Sequence, residues 1–270
     1  MKQTSLPLRH SPELRWQPLD NSNAMRIPRL YVPEAGKCGD VITVTGQTAR
    51  HVTQVLRLRS GAAIRLFNGN GAEWEAALLE GTRSGVRLEI GDVVKVVDEP
   101  SLSITLAQGI ARNDRMDFIL QKSVELGVSS IQPLWMQRCQ TRVRGERLEK
   151  RLKHWQGVII SACEQCGRST LPELCTPNDY VPWINKQGDA SIRLMLQPDS
   201  RQTLHDLPPP ARDIIILVGP EGGLNPEEQR LASLARFTGI RLGQRVLRTE
   251  TAALSAIAGM QTLWGDFRNH

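Results

Sequence analysis

Two stretches near the carboxy terminus constrain this chain more than any other part of it. Leu217 to Glu228 reads LVGPEGGLNPEE, and Leu242 to Ala256 reads LGQRVLRTETAALSA. Each reads as a strand, then an irregular loop bearing glycine or arginine, then a helix start. Loops of this kind roughly 20 residues apart stand side by side at the carboxyl edge of one sheet, where open α/β sheets bind their ligands. One loop offers bare backbone for close approach. The other carries Arg245, Arg248, Glu250 and two threonines.

The rest of the chain fits that frame. Between Met25 and about Asp98 the pattern is short strands and tight turns: VITVTG alternates, TARHVTQVL suits a short helix, and Asn68-Gly69-Asn70-Gly71 is a hairpin turn, because Asn and Gly tolerate positive φ. GVRLEI and VVKVV complete what reads as a small β-barrel. Glu99-Pro100-Ser101 marks a boundary, beyond which strands alternate with helices. SITLAQG and SIQPLW are strands, and the helices expected are Asn113 to Gly127 and Glu146 to Gly167. The second of these presents Leu148, Leu152, Trp155, Ile159, Ala162 and Cys166 as its buried stripe. IRLMLQ and DIIILVG are apolar strands of the buried parallel kind. Asn225-Pro226-x-Glu228 is a capping signature, and Thr249 to Trp264 forms the last helix. The division expected is 1–24, 25–98 and 99–270. Residues 1–24 are polar, Ser22-Asn23-Ala24 resembles a cloning scar, and the segment is expected to be a disordered tag or extension.

Several chemistries are disfavoured. The glycine loop ends in Leu224-Asn225 rather than Gly-Lys-Ser/Thr, so it is no phosphate loop. No Gly-x-Ser-x-Gly elbow is present. Cys163-x-x-Cys166 lies within a helical pattern and lacks a full zinc ligand set, so both cysteines are expected to pack inertly. Five scattered cysteines suit a reducing cytoplasm, and no run approaches the roughly 20 apolar residues of a membrane span. A net charge of +6 favours a polyanionic partner. Arg138 to His154 holds seven Lys/Arg; a solvated helix face and a phosphate-binding loop both remain open for it.

Four motifs in order carry a resemblance over Met25 to the end: RIPRLYVP; QKSVELGVSSIQPL; ACEQCGRSTLPE; and GPEGGLNPEE with LGQRVLRTETAAL. The sequence resembles the RsmE-type family of SPOUT methyltransferases, departing at Leu224, where an aromatic is common. The resemblance implies a PUA-like RNA-binding barrel, then a trefoil-knotted, mostly parallel α/β sheet with flanking helices. It implies S-adenosylmethionine as cofactor, a homodimer, no metal, and methylation of N3 of one uridine in 16S rRNA of the small ribosomal subunit. Cofactor contacts are expected from Leu196, Gln197, Val218, Gly219, Gly223, Leu242, Gly243, Val246, Leu247 and Thr249. Arg248, then Arg245, would hold charge on the deprotonated base; the proton goes to Glu250 or to water, and Glu250 is either that general base or an ion-pair partner. RNA contacts are expected from Arg26, Arg29, Arg112, Lys122, Arg138, Arg142 and Arg168. A non-catalytic RNA-binding or ribosome-assembly factor on the same fold is the alternative, and an unrelated small-molecule enzyme a third reading.

Overall fold

The computed structural model describes residues 27–81, 85–96, 102–139, 142–187, 192–211 and 213–268. Arg26, the leader 1–24 and the 99–101 boundary lie outside the described residues.

The amino-terminal unit is one five-stranded sheet. Its elements in chain order are β1 (Arg29–Tyr31), β2 (Val41–Val44), helix α1 (Gly46–Arg50) running into a wide turn at His51–Val55, then β3 (Ala63–Phe67), β4 (Ala72–Gly81) and β5 (Val86–Val96). Spatial order is β1-β3-β4-β5-β2. The hairpin turn stands where Asn68 to Gly71 places it, with Gly69 at φ +89° and Gly71 at φ +94°. GVRLEI and VVKVV are one strand rather than two, because register shifts against β4 at Trp74 and Ala76 bend β5 without ending it. Alternation along β1, β3, β4 and β5 fills a core of Leu30, Ile64, Leu66, Trp74, Leu88 and Ile90.

The second unit is a parallel sheet. It contains β6 (Ser103–Gly109), α2 (Asn113–Glu125), β7 (Ser130–Trp135), α3 (Glu146–Cys166), β8 (Glu173–Leu174), β9 (Asn178–Asp179), α4 (Tyr180–Ile184), β10 (Ile192–Leu196), β11 (Asp213–Val218), α5 (Pro226–Leu234), β12 (Thr238–Ile240) and α6 (Thr249–Trp264). Strand order is β12-β10-β11-β6-β7-β8, with β9 also on β7, and every pairing is parallel. The central β11 and β6 bury apolar side chains on both faces, as Ile214, Ile216, Leu217, Ile104 and Leu106 show. The strand before the second site loop is Thr238–Ile240, upstream of Leu242, where it was expected.

Helix ends follow their sequence signals. Gly127 at φ +84° and Gly167 at φ +86° stop α2 and α3 in the left-handed region. Asn225 caps α5: its side chain accepts from the Glu228 amide at 2.8 Å, and Glu228 Oε2 accepts from the Asn225 amide at 2.8 Å. On α3 the buried stripe is Trp155, Ile159, Ala162 and Cys163. Cys166 was expected in it and is exposed, because the stripe drifts by 20° per heptad and Cys163 takes the place.

The two units are tied by one polar knot of contacts. Arg29 pairs with Glu73 at 2.8 Å and donates to the carbonyls of Cys163 at 2.6 Å and Arg168 at 3.2 Å. Ser169 Oγ completes the set, donating to Glu73 Oε2 at 2.8 Å. The Arg29 guanidinium also lies 4.7 Å from the Phe67 ring. Burial pushes the Glu73 carboxyl up, but the hydrogen bonds from Arg29 and Ser169 outweigh it and hold its pKa below the usual value.

Candidate active site

The chain leaves β12 at the sheet edge, runs through 241–248 beside the loop 219–224, and returns as α6 against the sheet centre. One side chain joins the two loops. Thr249, the first residue of α6, donates from Oγ1 to the Gly219 carbonyl at 2.6 Å and accepts from Gln108 Nε2 at 3.0 Å. Gln108 is wholly buried at the end of β6, and its Nε2 also donates to the Gly109 carbonyl at 2.8 Å. Sequence reading overlooked Gln108; the available signal was an amide near the carboxyl end of a mostly buried strand.

Between the loops lies a cavity of about 310 Å³, in the size range of small-molecule sites. All ten positions expected to hold the cofactor line it: Leu196, Gln197, Val218, Gly219, Gly223, Leu242, Gly243, Val246, Leu247 and Thr249. Arg245 lines it too, as do Glu221, Gln229 and Ala252, which sequence reading did not single out. The walls are mostly apolar carbon and open backbone, which suits a flat heterocycle read by main-chain groups.

The glycines play different parts. Gly219 was expected to let a ligand approach. Its bare Cα is instead needed by the loop itself, since an added Cβ would stand 2.8 Å from the Gly223 carbonyl carbon and the Leu224 nitrogen. Gly223 at φ +67° and Gly243 at φ +87° do face open space, and their backbone conformation disfavours any side chain. These two are the cradle that a ligand can enter.

The loop is braced from outside. Arg138 Nη1 donates to the Gly222 carbonyl at 2.7 Å, so this arginine, expected on RNA, serves the loop. Glu221 Oε1 accepts from the Arg112 amide at 2.9 Å and lies 3.5 Å from Arg115. Its Oε2 is buried without a partner among the described residues, an acceptor available to a cationic or N–H-bearing ligand.

Arg245 and Arg248 are exposed and make no side-chain hydrogen bond or ion pair among the described residues. Arg248 is the residue before α6, next to Leu247 and Thr249 of the cavity wall. Glu250 stands in the first turn of α6, with Oε2 buried and unpartnered among the described residues. It pairs with neither arginine, so its ion-pair reading has no support in the structure.

The other RNA candidates divide. Arg29 is committed to Glu73 and three carbonyls, and it is not free for phosphate. Arg168 is drawn inward, donates to the Val124 carbonyl at 3.1 Å, and has its pKa lowered by burial. The causes differ: Arg29 bridges the two units, whereas Arg168 folds back onto the end of α2 within its own unit. Lys122 pairs with Glu125 at 2.7 Å, and Arg142 with Asp179 at 2.6 Å, both in part-exposed positions. The Arg112 side chain is exposed and without a partner among the described residues. No group of side chains suited to a metal ion occurs among the described residues, and no helix among them is long and apolar enough to cross a membrane.

A mostly parallel α/β sheet whose paired carboxyl-edge loops enclose a ligand cavity, joined to a small β unit, defines a SPOUT-type methyltransferase. Family models agree: residues 98–261 match an RNA methyltransferase domain and residues 44–91 an RNA methyltransferase PUA domain. The chain is 42% identical to the ribosomal RNA small subunit methyltransferase E of Neisseria gonorrhoeae, solved bound to S-adenosyl methionine, with TM-score 0.83 over 89% of this chain and 99% of that one. It is 38% identical to a putative methyltransferase of Legionella pneumophila, also solved with that cofactor, with TM-score 0.85 and the same coverage. The ribosomal RNA small subunit methyltransferase E of Buchnera aphidicola from Schizaphis graminum is 32% identical over 89% of this chain and 98% of its own length. The chain belongs to the ribosomal RNA small subunit methyltransferase E family, enzymes that methylate RNA with S-adenosylmethionine.

Proposed function

We propose that this protein transfers a methyl group from S-adenosylmethionine to N3 of a specific uridine in 16S rRNA of the small ribosomal subunit. The observation that carries the reading is the cavity between the two loops, lined by all ten expected cofactor positions and flanked by two arginines without side-chain partners among the described residues. When bound, the cofactor supplies a methyl carbon already made electrophilic by its sulfonium. Gly223 and Gly243 leave main chain bare for it, and Leu196, Val218, Leu242 and Leu247 give it an apolar bed.

The protein's remaining task is at the uridine. N3 carries a proton and is a poor nucleophile until that proton leaves. Loss of the proton spreads negative charge over O2, N3 and O4. Arg248, with Arg245 second, would hold that charge, and placing a fixed cation where charge develops is worth far more in a closed site than in water. Glu250, two residues on from Arg248 and with a buried oxygen that has no partner among the described residues, is the candidate to accept the proton. The loops would hold the donor for in-line attack by the base, and that positioning adds to the rate.

A homodimer and a cytoplasmic location belong to the same reading. Val246 is 83% exposed at the cavity wall, an apolar side chain that a second copy would cover. All five cysteines are free, in keeping with a reducing compartment. The test is transfer of labelled methyl to small subunits from a strain lacking the modification, with the product mapped by mass spectrometry. A single 3-methyluridine supports the reading; label on another base, or on protein, overturns it.

A further inference from the structure

A second, smaller cavity of about 180 Å³ lies at the seam between the β unit and α3, away from the donor site. It is lined by Gln47, Thr48 and His51 from the α1 segment and by Gly157, Ser161 and Glu164 from α3, with Leu30, Tyr31 and Ile160 as its apolar wall. The side chains of Gln47, Thr48, His51 and Ser161 have no hydrogen-bond partner among the described residues. Glu164 Oε1 accepts from the Tyr31 amide at 3.0 Å, and no ion pair offsets the carboxylate among the described residues. Burial pushes its carboxyl pKa up, only partly countered by the Tyr31 amide, His51 and Arg29.

Gly157 gives this cavity its meaning. It sits mid-helix in α3, where glycine costs about 1 kcal/mol against alanine. A Cβ built on it would touch nothing within 4 Å, so no neighbour among the described residues requires its smallness. Its backbone conformation is ordinary helix, so none requires its freedom either. What its bareness does provide is floor space in the cavity. Lys153, Gly157, Ser161 and Glu164 recur at helical spacing on one face of α3, so a cation stands one turn before Gly157, at the end of the cavity floor away from Glu164.

We propose that this seam cavity takes one unpaired RNA nucleobase, a guanine, read through the Watson–Crick edge by the Glu164 carboxylate. A carboxylate only accepts hydrogen bonds, and guanine is the base that offers two adjacent N–H donors, N1–H and the N2 amino group, to one acceptor group. His51 and Tyr31 supply ring surface for stacking, and Lys153 meets the adjoining phosphate. The inference rests on the RNA substrate proposed above and adds a position at which that substrate is recognised apart from the methylated uridine.

The experiment measures binding rather than methylation. Fluorescence anisotropy is read with uridine heptamers carrying a single central guanosine, adenosine, cytidine or uridine, against the full chain and its Gly157→Leu and Glu164→Gln variants. The guanosine oligomer is expected to bind about tenfold tighter than the other three, the scale of one bidentate base contact. Both variants should bring that preference to within about twofold while leaving S-adenosylmethionine affinity unchanged. Glu164→Gln keeps an acceptor for the Tyr31 amide, so it retains the fold contact and removes only the base reading. A wild-type protein that binds all four oligomers alike, or a guanosine preference that survives in both variants, overturns the proposal. If the preference stands while small subunits take up no methyl, the substrate reading alone has failed.

Discussion

Thr249 Oγ1 lies 2.6 Å from the carbonyl oxygen of Gly219, and that bond holds the two site loops together although thirty residues separate them. Because Thr249 also accepts from the buried Gln108, its buried hydroxyl is both donor and acceptor. Thr249→Val keeps shape and removes both roles. It should cost about 1–3 kcal/mol of stability, the penalty of leaving buried polar groups unpaired, and weaken cofactor binding at least tenfold. Thr249→Ser restores the hydroxyl and should bind nearly as wild type. Calorimetry with S-adenosylmethionine and thermal melting of the three proteins check this.

The glycines of the first loop should not respond alike. Gly219→Ala drives a Cβ into backbone at 2.8 Å, which nothing can relieve without opening the loop, so cofactor binding should be lost. Gly222→Ala meets only the Arg138 side chain, at 3.0 Å, and a flexible side chain can move aside. It should retain binding to within about threefold, a cost near or below that of one surface contact. Equal losses in the two variants would contradict the geometry.

Arg248→Ala should lower kcat by about 10² to 10³ with little change in cofactor affinity, since the side chain lies outside the cofactor cavity and acts on charge that develops during the reaction. Single-turnover rates with saturating cofactor separate the two effects. A variant that loses cofactor affinity in step with rate would return Arg248 to a binding role. Glu250→Gln should flatten the acid limb of the pH–rate profile if Glu250 accepts the proton.

Arg29 and Glu73 set the link between the units. Their side chains are 14% and 8% exposed, and truncating either alone strands a buried charge, with an expected loss of about 3–5 kcal/mol. The double variant should lose less than the sum. The pH sign follows from the lowered carboxyl: Glu73 binds its proton less readily when folded than when unfolded, so its contribution is present above the ordinary carboxylate range and disappears as pH falls through the lower, folded value. Denaturation of wild type and Glu73→Gln between neutral pH and pH 3 should converge at the acid end.

Most of the site was legible in sequence because it is built from local signals. Capped helix starts, apolar parallel strands and glycines at loop ends each follow from a few neighbouring residues; α3, β6, β7 and α6 lie within a residue of where those signals place them, and α2 within two. The cofactor positions were legible through the family resemblance, and their convergence on one cavity through strand-edge topology. The arginines were misjudged for the opposite reason. Arg29 and Arg168 look like any basic residue in a basic chain, and only tertiary contacts 134 and 44 residues away reveal that their donors are already taken. Gln108 and Glu221 escaped notice because a single polar residue beside an apolar strand carries no periodic signal. Cys166 was misplaced because a helical stripe read from sequence drifts over a helix of 21 residues.

The central claim is that the two loops enclose the methyl donor, and calorimetric titration of S-adenosylmethionine into wild type and Gly219→Val tests it most directly. The account predicts one molecule bound per chain in wild type and none in the variant, with the variant still melting cooperatively. Binding of equal strength in the two proteins, or no binding to the wild type, would contradict it.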